Sequence, residues 1–427
     1  MHAAIVLLVL VLTYFGMAAG RIAWLRVDRT GIALLATIAL LASGQMTLDD
    51  FGSAVDLPTL ALLFAMMIIS AQLAESGFID LCARTITGTG GGTAALLGLT
   101  VAIGGALSAV LANDILIVTI APVLIAGVQR RGLDARPFAI ALAAAANAGS
   151  AATLIGNPQN ILVGAIGRLN FWGFLGACAV PALFTLLVVF AVVWLQWRRR
   201  LQAGPAPEAL PAKPPVAAHP LDRNQTIKGG VAVVALLVLF ATPLPREIGA
   251  LVIAALLLAN RKFTSRTMIA AVDWPLLLFV SCLFAVTGQL NNSGVAARAL
   301  AFLDGHGLMP DNLAVLFPFA AVTSNTIGSL AGAILLLQIW PNPPPGVLYG
   351  LALLSTLAGS LLLSGSMTNL LIAEQAERMG ARLGFAEYAR AGIPIAAISR
   401  AFAAFWLALL HILPGTPPAP MPVGMPP

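Results

Sequence analysis

The chain has 427 residues, 59% of them hydrophobic and only 9% charged, with a formal net charge of +6. A soluble globular protein carries about 25% charged residues, so the composition excludes a soluble domain and calls for a count of membrane spans. The Lys and Arg side chains lie in short connections between apolar runs and form no patch interleaved with aromatics, which excludes a nucleic-acid surface.

Read in chain order, the first apolar run, 3–20, is followed by Arg21, Arg26 and Arg29 and preceded by no basic region. It therefore reads as a retained span with its N-terminus outside. Spans follow near 30–45, 57–76, 137–166 and 171–196, then near 228–244, 247–260, 274–291, 347–378 and 393–412. Two stretches, 92–128 and 312–340, are too long for one crossing and too interrupted for two. They read as re-entrant hairpins, broken at Ala112, Asn113, Asp114 and at Ser324, Asn325, Thr326, because polar backbone at membrane depth is tolerated only beside protein or a water-filled cavity.

Basic residues fix the orientation. Connections assigned inside hold clusters such as Arg130, Arg131, Arg136 and Arg198, Arg199, Arg200, whereas those assigned outside hold only Arg168, Arg246 and Arg298. The positive-inside rule then puts both termini outside. The Pro-rich segment 201–226 reads as a cytoplasmic linker between a first half, 1–200, and a second half, 227–413, and the Pro-rich tail 414–427 as disordered.

The halves echo each other. Val55, Asp56, Leu57, Pro58 leads to Gln72, Leu73 and Ser76, Gly77; Val272, Asp273, Trp274, Pro275 leads at the same spacing to Gln289, Leu290 and Ser293, Gly294. Ala148, Gly149, Ser150 precedes Gly156 and Asn160, as Ala358, Gly359, Ser360 precedes Gly365 and Asn369. Each half thus has five spans and one hairpin. An odd number of crossings inverts the second half relative to the first, the plan of a transporter.

Four polar interruptions follow: the two hairpin tips and the breaks inside the spans at 147–160 and 359–369. A helix that stops in mid-membrane presents unpaired N–H groups to an anion at one end and unpaired carbonyls to a cation at the other. The candidate substrate- or ion-binding residues are Asn113, Asp114, Asn147, Gly149, Ser150, Thr153, Gly156, Asn157 and Asn160 in the first half. In the second they are Ser324, Asn325, Thr326, Gly359, Ser360, Ser364, Gly365, Thr368 and Asn369. Asp114 is the one carboxylate in this set. It reads either as the carrier of a coupling H⁺ or Na⁺, or as the N-cap of the second hairpin helix. Asp56, Glu75 and Asp273 lie at span ends, where capping or solvation is expected, and Glu374 is within helical reach of Arg378.

At these residues the sequence resembles the ion transporter superfamily of arsenite permeases, NhaD-type antiporters, citrate transporters and divalent-anion/Na⁺ symporters. The run Asn147 to Asn160 is similar to the signature of its putative anion transporters, Asn113–Asp114 to the first-hairpin pair of arsenite permeases, and Ser324–Asn325–Thr326 to a hairpin tip of the symporters. The resemblance implies a scaffold and a transport domain, substrate between the hairpin tips, elevator-like alternating access, a homodimer and a place in the bacterial inner membrane. Ala112 and Asp114 depart from the symporter pattern, which favours H⁺ coupling. Arsenite permeases lack the Gly156–Asn160 run.

The expected function is secondary transport of a small anionic or neutral oxyacid substrate, either an inorganic oxyanion or a carboxylate, coupled to H⁺ or Na⁺. Arsenite or antimonite efflux, Na⁺/H⁺ antiport and an anion channel are the alternatives. No enzyme chemistry is expected: there is no nucleophile with a base, and the dispersed Cys82, Cys178 and Cys282 and the four His residues have no metal-ligand spacing. No cofactor is implied beyond the coupling ion.

Overall fold

The computed structural model describes residues 2–19, 27–202, 219–242 and 244–412, and their regular structure is helical. The first stretch of chain forms α1 (His2–Ala19), α2 (Arg29–Ala42), α3 (Leu48–Ala54), α4 (Leu57–Glu75), α5 (Phe78–Gly88), α6 (Thr93–Ser108), α7 (Asn113–Arg130), α8 (Arg136–Ser150), α9 (Pro158–Ile166) and α10 (Phe171–Gln202). After the linker come α11 (Arg223–Phe240), α12 (Arg246–Leu258), α13 (Ser265–Ala270), α14 (Trp274–Asn292), α15 (Val295–Gly305), α16 (Leu313–Thr326), α17 (Ser329–Ile339) and α18 (Pro345–Ala358). A 3₁₀ turn (Leu363–Gly365), α19 (Met367–Arg378) and α20 (Phe385–Leu409) complete the fold.

Among the described residues six helices, α4, α7, α10, α11, α14 and α20, are long and apolar enough to cross a bilayer, and shorter apolar helices accompany them. Leu12, Leu187 and Val234 are each about 60% or more exposed, as lipid-facing side chains are when hydrocarbon is their solvent. The protein is a multi-pass membrane protein.

The boundaries differ from the sequence expectation where polar residues join a helix. Helix α11 starts at Arg223, inside the expected linker, because Asp222 accepts from the amides of Asn224 and Gln225 and caps it. Helix α20 starts at Phe385 because Tyr388, Ala391 and Ile395 bury one face while Glu387 and Arg390 lie between them. The short helices α3, α5, α13 and α15 were not expected. The first carries a capping box between Thr47 and Asp50, while α5 and α15 follow Gly77 and Gly294, whose φ of 76° and 68° favours glycine. Residues 203–218 of the expected linker and the whole tail lie outside the described residues.

The described end of the linker is tied to the α4–α5 junction. The Asp222 N–H donates to Ser76 O at 2.8 Å, Arg84 Nη2 donates to His219 O at 3.0 Å, and the His219 ring lies 3.2 Å from Asp80 and 3.9 Å from Glu75.

From α2 to α10 and from α12 to α20 the same succession of long, short and broken helices occurs. Asp56 and Asp273 sit at the N-caps of α4 and α14. One apolar core gathers residues of α4, α9, α11, α12, α14, α16, α17 and α18; another gathers α5 to α8, the end of α10, α19 and the start of α20. Helix α9 therefore packs on α17 and α18, whereas α19 packs on α7 and α8. Each helix that follows a break packs against the other half of the chain, and α9 packs against α4 of its own half as well.

Two prolines bind α10 to α20. Proline has no N–H, so it frees the carbonyl four residues earlier. Pro181 frees Ala177 O, which accepts from Trp406 Nε1 at 3.0 Å; Pro394 frees Arg390 O, which accepts from Gln196 Nε2 at 2.9 Å. A buried cation also lies in α20 where the sequence reading placed none. Arg400 stacks 4.0 Å from the Phe317 ring centroid and donates to Phe317 O, joining α20 to α16.

Candidate functional site

The two long breaks meet. Helix α8 ends at Ser150 and resumes as α9 after Asn157, an N-cap whose Oδ1 accepts from Asn160 N at 2.8 Å. Helix α18 ends at Ala358 and resumes as α19 after Ser366. Within the first break Asn160 Nδ2 donates to Ser150 O at 3.0 Å and Thr153 O at 2.9 Å; within the second Asn369 Nδ2 donates to Gly359 O at 2.7 Å and Leu362 O at 3.0 Å. The carbonyls that a stopped helix leaves bare are thus satisfied by an amide from the helix that follows.

The breaks are also joined to each other. Asn147 Nδ2 donates to Asn369 Oδ1 at 2.9 Å and Ser360 Oγ at 3.4 Å, and its Oδ1 accepts from Ser366 Oγ at 3.1 Å. In the opposite sense Thr356 Oγ1 accepts from Asn157 Nδ2 at 3.3 Å and donates to Asn160 Oδ1 at 3.5 Å. Thr356, Ser366 and Asn369 are displaced from Asn147, Asn157 and Asn160 by one constant number of residues, so the two sets of contacts are reciprocal.

The interruptions at 112–114 and 324–326 flank this cluster, with their helix ends shifted from expectation. Helix α6 stops at Ser108 and α7 begins at Asn113, so Asn113 and Asp114 open the second helix; Ser108 Oγ donates to Asn113 Oδ1 and to Ala146 O at 2.6 Å. In the other stretch Ser324, Asn325 and Thr326 are the last turn of α16, and the chain reverses at Ile327 and Gly328, the latter at φ 97°. Ser324 Oγ donates to Ser355 O at 2.9 Å, and Asn325 Nδ2 donates to Ala358 O at 3.0 Å, which bonds this helix end to α18. The Asn325 Oδ1 beside Gly365 is buried and has no hydrogen-bond partner among the described residues. Thr326 faces away, its carbonyl accepting from Arg29 Nη2 at 3.0 Å.

Asp114 does not cap α7. The N-cap position is Ala112, which has no side-chain bond to offer, and Asp114 sits in the first helical turn. Among the described residues no hydrogen bond or ion pair reaches its carboxylate. It is half-buried and lines a small cavity with Asn113, Asn157, Pro158, Met66, Ile155 and Ile161. The same cavity is lined by Asp273, which also caps α14 by accepting from Leu276 N at 3.0 Å. Two carboxylates from distant parts of the sequence therefore share one space. A second cavity shares Met66, Ile155 and Ile161 and continues to Phe240 and Arg246.

Glycine has a steric role at Gly149, where a Cβ would lie 2.0 Å from Gly105 O; the α6 and α8 backbones touch there. Thr368 is buried and Ser364 lies in the 3₁₀ turn, but neither joins the hydrogen-bond cluster. Glu374 pairs with Arg378 at 2.6 Å, as its spacing predicts. Sequence reasoning missed Thr356 and Ser366. Extending the alignment of Asn160 with Asn369 back to Asn147 reaches Thr356 directly, but the change from amide to hydroxyl hides the match.

The arrangement is that of a membrane transporter. The sequence profile of the citrate transporter family matches residues 15–343. An uncharacterized transporter of Mycobacterium tuberculosis is 26% identical over 437 residues, covering 95% of this chain and 100% of the relative. A silicon efflux transporter of Oryza sativa is 33% identical over 152 residues, 36% of this chain and 31% of the relative. Among solved structures, MtrF of Neisseria gonorrhoeae superposes with a TM-score of 0.57 at 14% identity, over 96% of this chain and 94% of that one, which shows a shared fold.

Proposed function

The chain belongs to the citrate transporter family, and from that premise we propose that it is a secondary active transporter of a small anion, a carboxylate or inorganic oxyanion, coupled to H⁺ or Na⁺ through Asp114. The observation that carries this reading is an unpartnered carboxylate at the start of α7, in a cavity bordered by Asn157 of the first break. An acid at membrane depth is costly unless it binds a cation or a proton. The family's name puts citrate first among substrates, and the rice relative is named for silicon efflux.

The halves 1–200 and 227–413 act as inverted repeats, with 92–128 and 312–340 as re-entrant hairpins and the transport domain moving as an elevator. Supporting this are the repeated helix order, the reciprocal contacts of the two breaks and the packing of α9 and α19 each against helices of the other half. The setting is the bacterial inner membrane, with both termini outside and a homodimer as the working unit. A Na⁺/H⁺ antiport reading rests on the same cavity, whose titratable lining residues are Asp114 and Asp273, both acidic.

The test is flux into proteoliposomes of citrate, phosphate, sulfate and arsenite under imposed H⁺ or Na⁺ gradients. Uptake that follows a gradient in the wild type and loses its ion dependence in Asp114→Asn is expected. Ion movement without any anion favours antiport, and flux indifferent to both gradients overturns secondary coupling.

A further inference from the structure

The two clasps that join the breaks are reciprocal in position and unequal in chemistry. Asn147 offers two donors and an acceptor, and it uses them on Asn369, Ser360 and Ser366, with its two shortest bonds at 2.9 and 3.1 Å. Thr356 offers one hydroxyl, which makes two bonds at 3.3 and 3.5 Å, at the long limit of useful geometry. The Thr356 clasp is therefore the looser of the two, although the first break has one more bond to the second half, from Gln159 Nε2 to Ser355 Oγ. The first break is also the one that borders the ion cavity. Asn157, which Thr356 holds, lines that cavity together with Asp114.

We infer that Thr356 is a positioning residue for the ion site: across the contact between the two breaks it holds Asn157 beside Asp114 through a clasp weak enough to release when the ion is exchanged. This rests on the reading that Asp114 carries the coupling ion. Among the described residues the Asn157 side chain makes no other hydrogen bond to the second half of the chain; the next tie is Gln159 to Ser355, two residues on. The Asn157 Oδ1 is engaged by Asn160 N and its remaining amide contact, 3.2 Å to Ser150 Oγ, lies within the same break. Removal of the Thr356 hydroxyl strands Asn160 Oδ1 as well, since among the described residues Thr356 Oγ1 is the one donor that reaches it. The titratable groups lining the cavity are Asp114 from α7 and Asp273 at the start of α14, so an ion response of the first break reports on these two carboxylates.

Hydrogen exchange of the full-length protein in nanodiscs, in Na⁺ against choline and at pH 6 against pH 8, tests this without knowledge of the substrate. In the wild type, peptides covering 151–160 are expected to exchange at a rate that changes with Na⁺ or pH. Thr356→Ala raises that rate on the order of threefold to tenfold and abolishes or displaces the ion response, leaving 359–369 unchanged. Thr356→Ser restores both rate and response, and Thr356→Asn, which copies the firmer clasp, slows exchange below the wild type. Unchanged exchange at 151–160 in Thr356→Ala, or faster exchange with the ion response intact, overturns the positioning role. No ion response in the wild type, or an ion response that survives in Asp114→Asn, sinks the Asp114 reading instead, and this inference with it.

Discussion

Asn160 and Asn369 are each the amide that closes a broken helix: one donates to carbonyls ten and seven residues earlier, Ser150 and Thr153, and the other to carbonyls ten and seven residues earlier, Gly359 and Leu362. Both side chains are fully buried. Replacement of either by Ala leaves two buried carbonyls without a donor, each costing about 1–3 kcal/mol. Asn160→Ala and Asn369→Ala are expected to lower the melting temperature in detergent by several degrees. Asn→Asp at either position should be worse than Ala, because a carboxylate offers no N–H and adds a buried charge. A melting curve of Asn160→Ala superimposable on the wild type contradicts this account.

The contact between α6 and α8 makes a sharper prediction about side-chain size. Gly149→Ala places a methyl carbon against Gly105 O, backbone against which no rotamer can yield. This variant should express poorly or melt far below the wild type. Gly176→Ala, in α10 where no atom lies within 4 Å of the new carbon, should be neutral or slightly stabilising through reduced freedom of the unfolded chain. Equal behaviour of the two variants in a thermal scan argues against close α6–α8 packing.

Most of the span order was legible because hydrophobicity alone determines which segments enter a bilayer. The breaks were legible for the complementary reason, that clustered amides and glycines are tolerated there only with partners. What escaped was fixed by contact. Asp273 read as a span-end cap, which it is, but only the packing of α14 near α7 brings it to the cavity of Asp114. Arg400 lay inside an apolar run and escaped because its partner, the Phe317 ring and carbonyl, belongs to a helix far away in sequence. Tip boundaries shifted because a polar triplet can end one helix, as Ser324 to Thr326 do, or begin the next, as Asn113 and Asp114 do.

Acid sensitivity is expected at the surface end of α11. The Lys262 side chain, hydrogen-bonded to Asp222, is the largest of the influences holding that carboxyl below its usual range, followed by the amide of Gln225. A depressed folded-state value means that the charged form is favoured by folding. Its contribution is complete above the ordinary carboxylate value of about 4 and is lost as pH falls through the lower folded value. Asp222→Asn should therefore reduce stability at pH 7 and converge with the wild type only well below the ordinary carboxylate range, as read by melting across pH in detergent. A constant gap down to the acid limit assigns the effect to lost capping geometry.

The proline-freed carbonyls of α10 and α20 offer a test in which a second mutation cancels the first. Trp406→Phe removes the donor to Ala177 O while keeping an aromatic ring, and Gln196→Met removes the donor to Arg390 O at similar volume. Each should cost about 1 kcal/mol, the net worth of one hydrogen bond. Pro181→Ala supplies the helix with the N–H that Ala177 O lacks. In that background Trp406→Phe should become nearly neutral, while Gln196→Met, which serves Pro394, keeps its full effect. The double-mutant cycle isolates this coupling because both changes act on the Ala177 carbonyl. An undiminished loss from Trp406→Phe after Pro181→Ala would assign the indole to packing and leave the Gln196 bond to Arg390 O as the polar tie between α10 and α20.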